Sequence, residues 1–307
     1  MHLFSNIKIL LISFVTIVSI WSHVILASNV DFDPISQDIP AIDKNFPPSF
    51  HEVFIPVNDY KLTGFILQAN GKGPHPTAVL LHGLPGNEKN LDLAQSLRRA
   101  GFNVLFFHYS GAWGSQGDYS FSGLHKDVLA AFAFLRKNAE QYLVDIEKIS
   151  VVGHSFGGYA ALRSGSIDDN LSCVVGLSAA NPAVIAQSSR VAPKGDENIG
   201  GFGGYIDSLF MLNNTSGKKA TEEIMANIKE MDTRDYGKAL VGKNILLVVG
   251  EQDSVTPAAL QKDLLNHYQK VPDLKVESHI IAGDHAFSYS RIKLQKLVVH
   301  WMINHCL

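Results

Sequence analysis

The chain has 307 residues, 46% of them hydrophobic and 18% charged, a balance that suits a large globular domain and excludes a disordered chain. Its 26 basic and 29 acidic residues nearly cancel and form no run of one sign. That excludes the clustered basic face that nucleic acid requires.

The first 27 residues carry Lys8, the apolar run ILLISFVTIVSI from Ile9 to Ile20, and a small residue at Ala27. This is the pattern of a secretory signal peptide over residues 1–27, so the chain is expected to be exported, either secreted or periplasmic. A retained membrane anchor over residues 9–27 is the alternative, interrupted by Trp21, Ser22 and His23. Residues 28–50, rich in proline and aspartate, read as an arm leading into one domain over residues 51–307.

HEVFIPV (His51 to Val57) and KLTGFILQ (Lys61 to Gln68) read as two strands joined through Asn58-Asp59. Apolar runs then alternate with amphipathic stretches of helical length. TAVLLHG precedes LDLAQSLRRAG, NVLFFHY precedes LHKDVLAAFAFLRKN, KISVVG precedes YAALRSG, NILLVVG precedes PAALQKDLLNHYQ, and KVESHIIAG precedes SRIKLQKLVVHWMINH. Strands without polar alternation belong to a sheet covered on both faces, so the fold class is α/β, a doubly wound and mostly parallel sheet.

One stretch, residues 181–240, breaks the rhythm between CVVGLS and NILLVVG. It holds GGFGGY, read as flexible, then IDSLFML and TEEIMANIKEM, each with an apolar helical stripe. It reads as a short helical cap inserted before the acid-bearing strand. Phe202, Tyr205, Leu209 and Phe210 of this cap, together with Trp113, are candidates to line a substrate pocket; packing among themselves is the competing role. The two cysteines, Cys173 and Cys306, are read as buried or stray thiols, although export would allow a bond between them. Sequons stand at Asn170, Asn213 and Asn214.

The chemistry concentrates at VVGHSFGGY, where Gly153 and Gly157 flank Ser155 in a G-x-S-x-G spacing between a strand and a helix. A serine hydroxyl needs a base, and the base needs a carboxylate to orient it. Asp253 in GEQDSVTP and His285 in GDHAFS each follow a later strand, in the order serine, acid, histidine. The backbone N–H of Phe156 and that of Leu84, in the His82-Gly83-Leu84-Pro85-Gly86 loop, are the candidate oxyanion donors. His82 is read as a residue shaping that loop.

HGLPG, GHSFGG, GEQDSVTP and GDHAF in this order make the chain resemble the α/β-hydrolase superfamily from Phe54 to Leu307. The stretch from Leu81 to Phe121 looks like the prolyl-oligopeptidase-like and acyl-peptidase-like branch, which includes plain esterases. That branch often has an arginine and a glycine where Ser110-Gly111 stands here. The resemblance implies cleavage of an ester, thioester or amide through an acyl-enzyme on Ser155, with no cofactor and no metal. The expected partner is a small acyl substrate or a short peptide, and membrane contact only through a retained N-terminal segment. A carboxylesterase-like activity leads. A peptidase of the acyl-aminoacyl or dipeptidyl type is the second expectation, with no propeller or large gating domain seen ahead of the hydrolase, and a non-catalytic binding protein on the same fold is the third.

Overall fold

Eight strands build one sheet in the order β1-β2-β4-β3-β5-β6-β7-β8. They are β1 (Ser49–Val57), β2 (Tyr60–Gln68), β3 (His75–Leu81), β4 (Asn103–Phe107), β5 (Val144–His154), β6 (Leu171–Leu177), β7 (Asn244–Gly250) and β8 (Lys275–Ile281). β2 runs antiparallel to both β1 and β4, and every other neighbouring pair is parallel. This computed structural model describes residues 32–189 and 201–307. The expected signal peptide or anchor and the middle of the cap, residues 190–200, lie outside the described residues.

The apolar runs behave as a doubly covered sheet demands. On β3, Val79 and Leu81 enter one core while Ala78 and Leu80 enter the other; on β7, Ile245 and Leu247 are opposed in the same way to Leu246 and Val248. The first face is covered by α2 (Leu124–Lys137), α3 (Phe156–Gly165) and α7 (Ala258–Tyr268), the second by α1 (Leu91–Arg99) and α8 (Arg291–His305). β5 begins at Val144, earlier than Lys148, because the chain there pairs with His75 ahead of a register shift. The segment read as an arm packs against this body from Asp33 onward: Ile35 is buried beside Leu93 and Leu97, and Arg99 Nε donates to the Pro34 carbonyl at 2.6 Å.

The cap consists of α4 (Pro182–Ser189), α5 (Phe202–Asp207), α6 (Gly217–Ala226) and a 3₁₀ stretch over Thr233–Leu240. Two expectations are corrected here. The glycine-rich GGFGGY does not stay irregular, since Phe202–Tyr205 form most of α5. Its glycines serve a close approach instead: a Cβ on Gly217 would fall 2.2 Å from the Gly203 carbonyl oxygen, so the backbones of α5 and α6 meet directly. The helical stripe read across IDSLFML also ends early, because α5 stops at Asp207, whose carboxylate accepts from the Gly217 N–H at 2.7 Å.

The cysteines are the third correction. Cys173 on β6 and Cys306, just past α8, are joined in a disulfide with their Cα atoms 5.8 Å apart. Apolar burial of each thiol is real, at 0% and 2% exposure, but α8 packs so that its last turn lies over β6.

Candidate active site

β3, β5, β7 and β8 all release their chains at one edge of the sheet, and the four motifs sit in the loops that follow. Ser155 occupies the turn between β5 and α3 with φ 57° and ψ −121°, a conformation that residues with a side chain rarely adopt. The flanking glycines are steric necessities. A Cβ on Gly153 would lie 2.0 Å from the Gly157 carbonyl oxygen, and one on Gly157 would lie 2.5 Å from that of His82. The turn is pinned by the Ser155 N–H, which donates to the Leu177 carbonyl at 2.9 Å, and by the Ser155 carbonyl, which accepts from Gly158, Tyr159 and Ala180.

Asp253 and His285 are brought together beside this turn. His285 Nδ1 donates to Asp253 Oδ2 at 2.9 Å, and Asp253 Oδ1 accepts from the backbone N–H groups of Val255 and Thr256 at 2.9 and 2.8 Å. The Thr256 hydroxyl lies 2.9 Å from Asp253 Oδ2 and 3.2 Å from His285 Nδ1, closing the cluster. Burial works to raise the carboxyl, whose side chain is 0% exposed, yet the hydrogen bonds from His285 and Thr256 outweigh it and hold Asp253 at about 2. The carboxylate is therefore ionised at neutral pH and holds the Nδ1 side of His285, leaving Nε2 as the nitrogen that does not meet it. Ser155 Oγ has no hydrogen-bond partner among the described residues. Such contacts are commonly long before substrate binds and tighten in the reactive complex.

His154, read in the sequence only as a neighbour of the serine, is tied to the candidate base: its Nε2 donates to the His285 carbonyl at 2.7 Å. Burial pushes His154 down to about 4, so it is neutral in this role. On the other side of the serine lies the Gly83–Gly86 loop. A Cβ on Gly83 would come within 2.7 Å of Ser155 Cβ, which shows how closely the backbone passes. Phe156 is the first residue of α3, where an N–H has no intrahelical acceptor, and Leu84 N–H likewise lacks a partner among the described residues.

The pocket candidates divide. Phe202 meets Phe121 and Phe156 with ring centroids 5.7 and 6.3 Å apart, so it reaches the residue whose N–H is a candidate oxyanion donor. Leu209 packs on the same core, and Tyr205 is 43% exposed. Phe210 is 90% exposed and stands in solvent, a correction that follows from the early end of α5. Trp113 turns its indole N–H to the Pro85 carbonyl at 2.6 Å, bracing a loop. Ser110, at the position where an arginine is common, bonds Asp127 through its N–H and hydroxyl, both at 2.7 Å. Among the described residues, no group of His, Cys, Asp and Glu side chains is placed to hold a metal ion.

A family model described as BD-FAE matches residues 65–238, more than half of the chain. The chain belongs to the BD-FAE family. Within the α/β-hydrolase fold of this BD-FAE protein, similarity to solved structures is broad. Est1E from Butyrivibrio proteoclasticus superposes with a TM-score of 0.63 at 18% identity, covering 83% of this chain and 98% of that one. The Pyrococcus furiosus esterase Pf2001 gives 0.62 at 18%, covering 88% and 98%. The Pyrococcus horikoshii acylaminoacyl peptidase gives 0.62 at 18%, covering 85% of this chain and 42% of that one. At these identities the likeness is one of fold. An uncharacterized protein of Mycobacterium tuberculosis is 26% identical over 147 residues, and the match spans half of its length, 50%, and 48% of this chain.

Proposed function

We propose that this BD-FAE protein is an exported serine hydrolase that cleaves carboxylic esters through an acyl-enzyme. The observation that carries the reading is the His285 ring held by a buried, ionised Asp253 next to a serine in a strained turn. Ser155 Oγ attacks the acyl carbon while His285 Nε2 takes its proton; the tetrahedral oxyanion is received by the N–H groups of Leu84 and Phe156. The imidazolium then protonates the leaving alcohol, and water, activated by the same nitrogen, releases the acid and restores the serine.

The acyl group is proposed to be aromatic. Phe202, half-buried, rests on the buried rings of Phe121 and Phe156 beside the candidate oxyanion donor, and is the ring of the three placed for edge or offset contact with a planar group. Est1E, of the same fold, has been observed with ferulic acid bound. Export is supported by the closed Cys173–Cys306 bond, which belongs to oxidising compartments.

The test offers p-nitrophenyl acetate, aryl-acyl esters such as methyl ferulate, and aminoacyl p-nitroanilides to the purified protein, alongside a fluorophosphonate probe. Ester turnover and labelling that both vanish in Ser155→Ala are expected. Amide turnover above ester turnover favours the peptidase reading; an unlabelled, inactive wild type removes the hydrolase reading altogether.

A further inference from the structure

The loop that carries Leu84 is held by ring nitrogens that take no part in proton transfer. His82 Nδ1 donates to the Gly83 carbonyl at 2.7 Å, and Trp113 Nε1 donates to the Pro85 carbonyl at 2.6 Å. These two carbonyls bracket Leu84. The Gly83–Leu84 peptide is trans and planar, so its C=O and N–H point in opposite directions. Holding the Gly83 carbonyl against His82 turns the Leu84 N–H away from that ring.

The Gly83 carbonyl decides which nitrogen of His82 carries the proton, and a second imidazole is set by that choice. Because His82 Nδ1 faces a carbonyl it must be the N–H, which leaves Nε2 as an acceptor. His108 Nδ1 lies 3.2 Å from it and is the donor. Both rings are neutral: burial pushes His82 to about 4 and His108 to about 3, and Lys89 acts in the same direction on each. The pair is thus a fixed chain of N–H donors ending on the Gly83 carbonyl. Gly86, at φ 99°, admits both braces, since a Cβ there would lie 2.5 Å from His82 Nδ1 and 2.9 Å from Trp113 Nε1.

Trp113 also belongs to the cap's anchorage. Its backbone N–H donates to the Met211 carbonyl at 3.1 Å, and its neighbour Ala112 forms an isolated antiparallel bridge with Leu212. It holds φ 51°, unusual for a bulky side chain, and its ring stacks on His108 with centroids 5.9 Å apart. One residue therefore touches the cap, the imidazole pair and the oxyanion loop.

We infer that Trp113 and His108 are positioning residues of the oxyanion hole, holding Leu84 N–H in its working direction through Pro85 and through His82, with Trp113 linking that geometry to the cap. The inference rests on the serine hydrolase reading. Removing one oxyanion donor typically costs about 10²–10³ in turnover, and misaiming it costs less.

The experiment measures kcat and KM for a p-nitrophenyl ester, affinity for an aryl trifluoromethyl ketone that forms a tetrahedral adduct, and histidine tautomers by ¹⁵N NMR. Wild type is compared with Trp113→Phe, which keeps a ring and drops the donor, His108→Leu, and His108→Asn, whose amide nitrogen sits near the Nδ1 position. Trp113→Phe and His108→Leu are each expected to lower kcat by about 10- to 100-fold, with KM within about threefold and ketone affinity falling in step. His108→Asn recovers most of the loss, and His82 stays Nδ1-protonated in wild type and in His108→Asn. Unchanged kcat in the first two variants of an active enzyme, a loss confined to KM, or no recovery with asparagine overturns the inference alone. A wild type that turns over no ester and takes no fluorophosphonate overturns the hydrolase reading and the inference with it.

Discussion

His154 Nε2 donates to the main-chain carbonyl of His285 at 2.7 Å, so the residue before the candidate nucleophile holds the backbone of the candidate base. The two rings also lie 4.7 Å apart, centroid to centroid. Replacing His154 by Phe removes the donor and leaves a buried carbonyl unpaired, a cost of about 1–3 kcal/mol. kcat is expected to fall about tenfold, and His154→Gln, whose amide nitrogen reaches the same position, to recover most of it. Steady-state kinetics on the three proteins decide; equal rates for His154→Phe and wild type rule the tether out.

Glu223 on α6 ties the cap to the segment Ser120–Ser122 of the sheet domain through four hydrogen bonds. Its carboxylate accepts from Ser122 N–H at 2.8 Å, Ser122 Oγ at 2.6 Å, Ser120 Oγ at 2.5 Å and Phe121 N–H at 3.2 Å. Phe121 is one of the two buried rings on which Phe202 rests, beside Phe156. Glu223→Gln turns an acceptor-only group into one that presents N–H to these donors and loses charge-assisted bonds worth about 1.5–3 kcal/mol. The expected result is a melting temperature lower by about 4 °C or more and a KM for aryl-acyl esters raised about tenfold, with kcat less affected. An unaltered KM disconnects the latch from the pocket.

Acid stability follows from three imidazoles, His82 and His154 buried and His108 half-buried, where solvent screening lessens its share. His82, His108 and His154 are held neutral, at about 4, 3 and 4, while an unfolded histidine titrates near 6.5. Between these values the unfolded chain binds protons the folded chain refuses, so stability falls as pH falls from about 7 towards 4, by up to about 1.4 kcal/mol per pH unit for each group. Asp253 adds a slope of the same sign lower down: held at about 2, it stabilises the fold above about 3.9 and loses that contribution towards pH 2. Urea melts at pH 7, 6 and 5 should show a steady decline that is shallower, not abolished, in His108→Asn, since His82 and His154 remain. Equal stability at pH 7 and 5 refutes it.

The Cys173–Cys306 bond spans 133 residues, and its loss is expected to cost about 2–4 kcal/mol through the freedom regained by the unfolded chain. Cys306→Ser should melt several degrees below wild type under oxidising conditions and alongside it in excess reductant. Free-thiol titration of the denatured wild type that finds both cysteines reactive removes the bond.

The sheet and the order of serine, acid and histidine could be read because each depends on residues adjacent in sequence. Val151-Val152 announces a buried strand, Gly153 and Gly157 announce the turn at Ser155, and Asp253 and His285 each follow an apolar run directly. What escaped was set by distance. Nothing near Glu223 says that it will meet Ser120, 103 positions earlier, and nothing near His108 says that its partner is His82. Cys306 meets Cys173 because the C-terminal end of α8 packs on the β6 side of the core, 133 residues away in sequence. Phe210 was misjudged for a local reason: its helical spacing was correct, but Asp207 ends the helix by accepting from Gly217.

The Cys173–Cys306 bond fastens the chain just past α8 to β6, a strand with parallel neighbours on both sides, so tension on the C-terminal end of α8 passes into the middle of the sheet. α8 is shielded from being peeled away from that end.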